Sequence, residues 1–220
     1  MHLIEPSGDD EIFDSDPEAL RFAAIMTGDL FSGVRVIGAR SPLTVMIAGH
    51  PCTIRGAEGT LQPRVVCVTV KEHQRVPYRK WPQGYYNVFP IGCGQDGVNR
   101  AADLQEWVTV DSAQLDRTRR ELTLTDYGIV ALQQRIVHSL TRVVVEKGVL
   151  YESMRPILRE AELERDWVQE RSQTQKIDES TREFARFMDE ADRRRRLRDE
   201  SHESAVRSEV RSRLRESSRQ

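Results

Sequence analysis

The spacing of apolar residues changes once along this chain, near Leu115. Before that point they occur in short runs rich in β-branched side chains, and the runs are residues 22–26, 34–38, 43–48, 65–70, 85–91 and 107–110. Short runs of this kind, separated by turn residues, are typical of antiparallel strands. We therefore expect a small, strongly bent sheet or barrel in the first half of the chain.

Beyond Leu115 the apolar residues recur every three or four positions, as in an amphipathic helix. Thr125 or Asp126 can cap a first helix, and Lys147-Gly148 is a stop signal. A second amphipathic stretch covers residues 154–168, with Pro156 in its first turn. After Gln169 the apolar residues are too sparse for a core, so the pattern predicts a solvated helix.

Charged residues are concentrated in the last third of the chain. Residues 151–220 hold 17 Lys or Arg and 17 Asp or Glu, so about half of that segment is charged, against about a quarter in typical domains. The first 20 residues contain seven acids and no Lys or Arg. We expect a flexible acidic arm over residues 1–20, a barrel domain with a closing helix over 21–150, and a charged helical extension over 151–220.

Several functional classes are disfavoured by the sequence. No segment approaches the roughly 18 apolar residues of a membrane span, and the acidic start does not resemble a signal peptide. We therefore expect a cytoplasmic protein with no membrane contact. The glycines at residues 92–97 have the spacing of a phosphate-binding loop, but no long helix follows them, so no nucleotide cofactor is expected.

The three cysteines, Cys52, Cys67 and Cys93, cannot close a disulfide framework. In a reducing compartment we expect them to be buried, small apolar residues. Together with His50 and His73 they offer five possible zinc ligands, but no Cys-x-x-Cys or His-x-x-x-His pair occurs. We therefore expect no metal site.

The connection over residues 71–86 is the most informative stretch for function. It carries four Lys or Arg, four aromatic rings and a single acid, Glu72. Cations can neutralise phosphates while rings stack on unpaired bases, and the candidate nucleic-acid-binding residues are Lys71, Arg75, Tyr78, Arg79, Lys80 and Trp81. The alternative is that these rings cover an edge of the barrel.

Two further features leave alternatives open. His50 or His73 can serve as a general acid or base near neutral pH, or can be a hydrogen-bonded structural residue. The arginines at residues 193–196, with Arg211, Arg213 and Arg215, can contact nucleic-acid phosphates, pair with the acidic arm, or do neither.

The order of these features resembles that of the MazF/PemK toxin family. The segments that carry the resemblance are Gly28-Asp29-Leu30-Phe31, residues 42–47, 64–70, 86–91 and 104–117, and the helix that follows. The resemblance covers residues 25–147. It implies a mainly β fold with C-terminal helices, in which a small SH3-like barrel is closed by a helix. It also implies a homodimer that cuts single-stranded RNA without a metal and has an antitoxin or another protein as partner.

The resemblance also implies site residues. The family has an Arg directly before the Pro of its second main strand; here Ser41 precedes Pro42 and Arg40 stands one residue earlier. By the resemblance, Arg40 would stabilise the charged phosphorane and Thr69 would orient a phosphate oxygen. The reaction also needs a group that transfers protons, and the candidates for that role are His73 and His50. The competing prediction is a non-catalytic SH3-like barrel module that binds nucleic acid or a protein, with the helical tail serving assembly.

Overall fold

The computed structural model describes residues 2–14, 16–56, 59–94 and 96–217. Its strands are β1 (Phe13–Asp14), β2 (Leu30–Val34), β3 (Leu43–Ile47), β4 (Arg64–Glu72), β5 (Val88–Cys93), β6 (Asn99–Asp111) and β7 (Arg120–Leu124). Its helices are α1 (Asp9–Ile12), α2 (Pro17–Phe22), α3 (Pro51–Ile54), α4 (Asp126–Thr141), α5 (Lys147–Arg171), α6 (Ile177–Asp189), α7 (Arg193–Arg196) and α8 (Glu200–Ser217). With 49% helix and 22% strand, the fold is mixed α/β rather than mainly β.

The strands form one antiparallel sheet in the order β1-β7-β2-β3-β4-β6-β5, and this sheet is not closed into a barrel. β5 pairs with β6 only as far as Asp103. Beyond Asp103, β6 pairs with β4 alone among the described strands. The rest of β6 shares a groove with residues 35–37, which follow β2. The predicted sheet is therefore present, but the pairing that would close it is absent from the described residues.

Most of the predicted strands are confirmed; those at 43–48, 65–70, 85–91 and 107–110 overlap β3, β4, β5 and β6, and 34–38 contributes only its first residue. The prediction for residues 22–26 is wrong, because Phe22 ends α2 and a loop follows. In this segment the Arg120 guanidinium donates hydrogen bonds to the carbonyls of Leu20, Ala23 and Ala24. A side chain thus satisfies carbonyls that a neighbouring strand would otherwise pair.

The sheet has a buried apolar cluster on each face. The larger cluster joins Met46, Val68 and Phe89 to residues of α4 and α5. The smaller one includes Val45 and Cys67. Cys67 and Val68 are neighbours in β4 and therefore point to opposite sides of the sheet.

The helix α4 begins as predicted and ends earlier than predicted. The Thr125 hydroxyl accepts a hydrogen bond from the Gly128 N–H at 3.0 Å, as an N-cap does. Arg142 follows the helix with a φ of 62° and ends it in the left-handed region. Lys147 is the first residue of α5, and that helix continues through Pro156 instead of starting there.

The charged extension has a core of its own, contrary to the expectation of a solvated helix. Its buried apolar residues are Leu163, Trp167, Phe184, Met188, Leu197, Val206 and Val210. Charges pair between the helices, with Arg194 2.8 Å from Glu160 and Arg207 2.6 Å from Glu162. Each helix supplies few apolar residues, but together they form one cluster because several helices meet there.

The acidic N-terminal segment is packed on the domain, so the prediction of a flexible arm is wrong for its described residues. Leu3, Ile4 and Ile12 are buried. The Ile4 N–H donates to the side-chain oxygen of Gln134 at 2.7 Å, and β1 pairs with β7. The apolar side chains between the acids anchor the segment, a signal that the count of charges concealed.

Candidate functional site

Thr69 and Lys71 lie two residues apart near the end of β4 and share one face of the sheet. The Thr69 hydroxyl donates a hydrogen bond to Oε2 of Glu106. The same carboxylate oxygen lies 2.5 Å from Lys71 Nζ, which is also 3.2 Å from Oδ2 of Asp103. We call these four residues the Thr69 cluster. The shift in register between β4 and β6 at Val68/Val70 accompanies this meeting of side chains.

Both charged groups at the centre of the Thr69 cluster are held in their ionised forms. Hydrogen bonds from Lys71 and then Thr69 lower the pKa of the Glu106 carboxyl. Hydrogen bonds to Glu106 and then Asp103 raise the pKa of the Lys71 ammonium. Lys71 and Glu106 are exposed, whereas Thr69 is buried. At neutral pH the cluster therefore presents a carboxylate and a cation to solvent.

Arg40 lies exposed in the connection between β2 and β3, three residues before Leu43 begins β3. Val45 pairs with Thr69, so the start of β3 lies at the end of β4 that carries Lys71. The connection with Arg40 therefore leads to the same end of the sheet as the Thr69 cluster.

The two candidate histidines lie apart from each other. His50 follows β3 at its other end, beside Gly49, whose N–H donates to the carbonyl of Val66. Its Nδ1 accepts a hydrogen bond from the Cys52 N–H at 3.2 Å, and burial lowers its pKa. His73 follows β4 with its ring edge-on to Tyr85, and its Nδ1 lies 2.7 Å from the carbonyl of Gln74. The sheet therefore places His50 away from the Thr69 cluster and engages His73 locally.

The predicted RNA-binding connection is divided between core and surface. Trp81 is only 2% exposed and contacts Phe89 at 5.3 Å between ring centroids. Arg135 of α4 lies over the Trp81 ring at 5.0 Å and donates to its carbonyl at 2.8 Å. Trp81 therefore cannot stack on a base in this structure. Its burial agrees with the alternative interpretation, in which it covers part of the sheet domain.

The other side chains of this connection are more accessible. Arg75, Arg79 and Lys80 are exposed, and none of them forms an ion pair with a residue of the described chain. Tyr78 is half-buried and its hydroxyl donates to Asp9 of the N-terminal segment. Three cations remain available to an anionic ligand, while both rings predicted to stack are engaged with the protein.

A groove of about 510 Å³ follows the part of β6 that pairs with β4 on one side and with no described strand on the other. Five consecutive residues of that strand line it, from Trp107 to Asp111, and Arg35, Val36, Ile37, Arg64 and Gln114 complete the lining. Trp107 is 37% exposed and Ile37 is 96% exposed. Sequence reasoning assigned residues 107–110 to a strand but missed the groove. The alternation of Trp107 with Val108 marks two faces, yet nothing in the sequence indicates that the strand edge is open.

Three of the four arginines at residues 193–196 are paired with acids of the helical extension. Arg193 and Arg196 both contact Glu209, at 2.8 Å and 2.7 Å. Arg194 contacts Glu160 and Asp189. Of the alternatives for this basic run, the structure favours one that sequence reasoning did not weigh, which is pairing within the extension.

The described residues provide no group of three or more His, Cys, Asp or Glu side chains placed to hold a metal ion. Cys67 is buried as predicted, whereas Cys52 and Cys93 are exposed free thiols, so the prediction of burial is wrong for these two. Within the described part of the chain, no helix has the length and apolar character needed to cross a membrane.

Comparison of the chain with protein-family models and with curated proteins found no match.

Proposed function

We propose that this chain is a MazF/PemK-like endoribonuclease that cuts single-stranded RNA without a metal ion. The observation that carries the proposal is the Thr69 cluster, where a hydroxyl, an ammonium and a carboxylate meet at one exposed end of the sheet. Thr69 belongs to the resembling segment at residues 64–70, Lys71 directly follows that segment in the same strand, and Glu106 belongs to a second resembling segment at residues 104–117. These are the kinds of groups that proton transfer at a phosphodiester requires.

The reaction is attack of an RNA 2′-hydroxyl oxygen on its adjacent phosphorus. Glu106 accepts the 2′ proton, the new P–O2′ bond forms, and the P–O5′ bond breaks. Lys71 stabilises the negative charge of the phosphorane together with Arg40 and gives a proton to the leaving 5′ oxygen. Thr69 keeps the Glu106 carboxylate oriented. The products are a 2′,3′-cyclic phosphate and a 5′-hydroxyl, and neither a water molecule nor a redox partner is consumed.

We also propose the SH3-like barrel fold, the homodimer and the protein partner that the resemblance implies. We interpret the open sheet as an SH3-like barrel in which one pair of strands does not meet. Residues 35–37 and the part of β6 from Trp107 to Asp111 line the same groove, where the closing pair would form. A homodimer and a neutralising protein partner such as an antitoxin belong to the same proposal. Growth arrest on expression in bacteria, relieved by the Glu106→Gln variant, is the expected cellular result.

The test uses purified full-length chain and mixed-sequence single-stranded RNA in EDTA. We expect fragments that end in a 2′,3′-cyclic phosphate, and no fragments from the same RNA with 2′-O-methyl groups, because the attacking hydroxyl is then blocked. Intact RNA after prolonged incubation, or equal cutting of the methylated RNA, contradicts the proposal.

The second candidate function is a non-catalytic module that binds nucleic acid or a protein. Lys71 is already paired with both Glu106 and Asp103, and the lowered pKa of Glu106 makes it a weak base. His50 and His73 do not join this cluster. The module predicts RNA or protein binding without turnover, and the same RNA incubation distinguishes it from the enzyme.

A further inference from the structure

The groove beside β6 runs along the edge of the strand. Neighbouring residues of a strand point to opposite faces, so a cavity lined by every residue from Trp107 to Asp111 must follow the edge itself. Glu106 of the Thr69 cluster immediately precedes Trp107. The groove therefore begins one residue along the strand from the proposed reaction centre.

Trp107 is the tryptophan that a ligand can reach. Its indole Nε1–H donates to the carbonyl of Leu104 at 2.8 Å, which fixes the ring against the strand. The chain has three tryptophans, and the others, Trp81 and Trp167, are 2% and 0% exposed against 37% for Trp107. A fixed and partly exposed aromatic ring is a platform on which a base can stack.

The charges around the groove suit a phosphate backbone. Arg35 and Arg64 line it, and neither forms an ion pair with a residue that the structure describes. The backbone of Arg35 is fixed by two hydrogen bonds with the Gln114 side chain, at 2.9 and 3.0 Å. Asp111 is the acid among the lining residues, and its Oδ1 accepts the Ala113 N–H. The groove is therefore lined by the Trp107 ring and by two guanidinium groups that have no ion-pair partner among the described residues.

We propose that this groove holds the single-stranded RNA next to the bond that is cut, with one base on Trp107 and neighbouring phosphates on Arg35 and Arg64. The inference rests on the proposed function for its substrate and extends it to residues outside the Thr69 cluster. An extended peptide could instead pair with the strand edge. The exposed ring and the two unpaired arginines favour RNA over that occupant.

The experiment is a titration of the full-length chain with a short 2′-O-methyl RNA, which cannot be cut, followed by tryptophan fluorescence and by fluorescence anisotropy of labelled RNA. A base that stacks on Trp107 quenches the fluorescence of its indole. The quench can be assigned to Trp107 because Trp81 and Trp167 are buried. Trp107→Leu should abolish the quench and weaken binding about tenfold, within the range of stacking energies. Arg64→Gln, an exposed change with little effect on folding, should weaken binding and reduce the slope of log affinity against log salt by about 1. Arg119→Gln, an exposed arginine outside the groove, is the matched control and should bind like wild type.

Binding without a quench, with wild-type affinity in the Trp107→Leu and Arg64→Gln variants, overturns the inference and leaves the proposed ribonuclease intact. Quenching by an acidic extended peptide but not by RNA also overturns it and indicates a protein-docking edge. Failure of the proposed function is seen separately, as intact unmodified RNA in the cleavage assay, whether or not the groove binds RNA.

Discussion

Asp29 and Arg120 form an ion pair at 2.8 Å in which both side chains are fully buried. Oδ1 of Asp29 also accepts the Thr123 hydroxyl at 2.6 Å, and Oδ2 accepts the Met26 N–H at 3.0 Å. The pair joins the start of β2 to β7 and to the loop after α2. It gives a structural reason for the Gly-Asp sequence that precedes β2, independent of catalysis.

Replacing one member of this pair should destabilise the whole domain. Asp29→Asn leaves the Arg120 charge buried without its counter-ion, which costs about 3–5 kcal/mol of unfolding free energy. Urea denaturation followed by circular dichroism measures this change. Arg119→Gln, next to the pair but exposed, should change stability by less than about 0.5 kcal/mol. Equal stability of Asp29→Asn and wild type would show that the pair contributes nothing.

A second buried carboxylate joins the helical extension to the sheet domain. Glu164 of α5 lies 2.8 Å from Arg55 and 3.0 Å from Arg117, with 2% of its side chain exposed. Glu164→Gln leaves two buried guanidinium groups without a counter-ion, so we expect a loss of about 3–5 kcal/mol. The measurement is urea denaturation followed by circular dichroism.

The control for this prediction is Glu162→Gln on the same helix. Glu162 is partly exposed and pairs with Arg159 and Arg207, so its loss should cost about 1 kcal/mol or less. A similar effect of both substitutions would mean that the link between sheet and extension depends on apolar packing rather than on Glu164.

The three thiols should react with a disulfide reagent at different rates. Burial raises the pKa of the Cys67 thiol to about 12, so its thiolate is scarce near neutral pH. Burial also raises the pKa of Cys52, an effect that Arg198 partly offsets. We expect Cys93 to react first, Cys52 more slowly, and Cys67 only after unfolding. Mass spectrometry of the labelled peptides assigns each site, and early labelling of Cys67 in the folded protein contradicts the assignment of burial.

The pH dependence of cleavage should report on Glu106. The carboxylate must be ionised to accept a proton, and Lys71 and Thr69 lower its pKa below the ordinary value of 4.5. Wild-type cleavage should therefore fall only when the pH drops below that value. Lys71→Met removes the largest cause of the shift, so the acid limb should move to higher pH, measured relative to the plateau of that variant. An acid limb at the same pH in both proteins would assign the titration to another group.

The sequence predicted secondary structure best where the interactions that determine an element are between residues close together in the chain. Thr125 caps α4 through a group three residues away, and the run at residues 65–70 lies in β4 because its β-branched residues favour a strand. The meeting of Thr69 with Glu106 is separated by 37 positions and depends on the register of two strands. Spacing along the chain contains no measure of that register.

The predictions that were wrong have long-range causes. Arg120 satisfies the carbonyls after α2 from about 100 positions away along the chain. The core of the extension forms because several weakly apolar helices meet, and Leu163, which falls outside the stripe of its own helix, is buried by the others. Trp81 was predicted to bind RNA at the surface together with its basic neighbours. In the structure it is buried, as the alternative interpretation had it.

In the proposed reaction, Glu106 is the base that accepts the proton of the attacking 2′-hydroxyl. The direct measurement is the rate of single-stranded RNA cleavage in EDTA by wild type, Glu106→Gln, and the control Glu72→Gln at the exposed end of the same β4 strand. We expect Glu106→Gln to cut at least about 100 times more slowly than wild type. Glu72→Gln should cut like wild type, and all three proteins should unfold at similar urea concentrations. Cleavage by Glu106→Gln at the wild-type rate, or no cleavage by wild type, contradicts the proposed reaction.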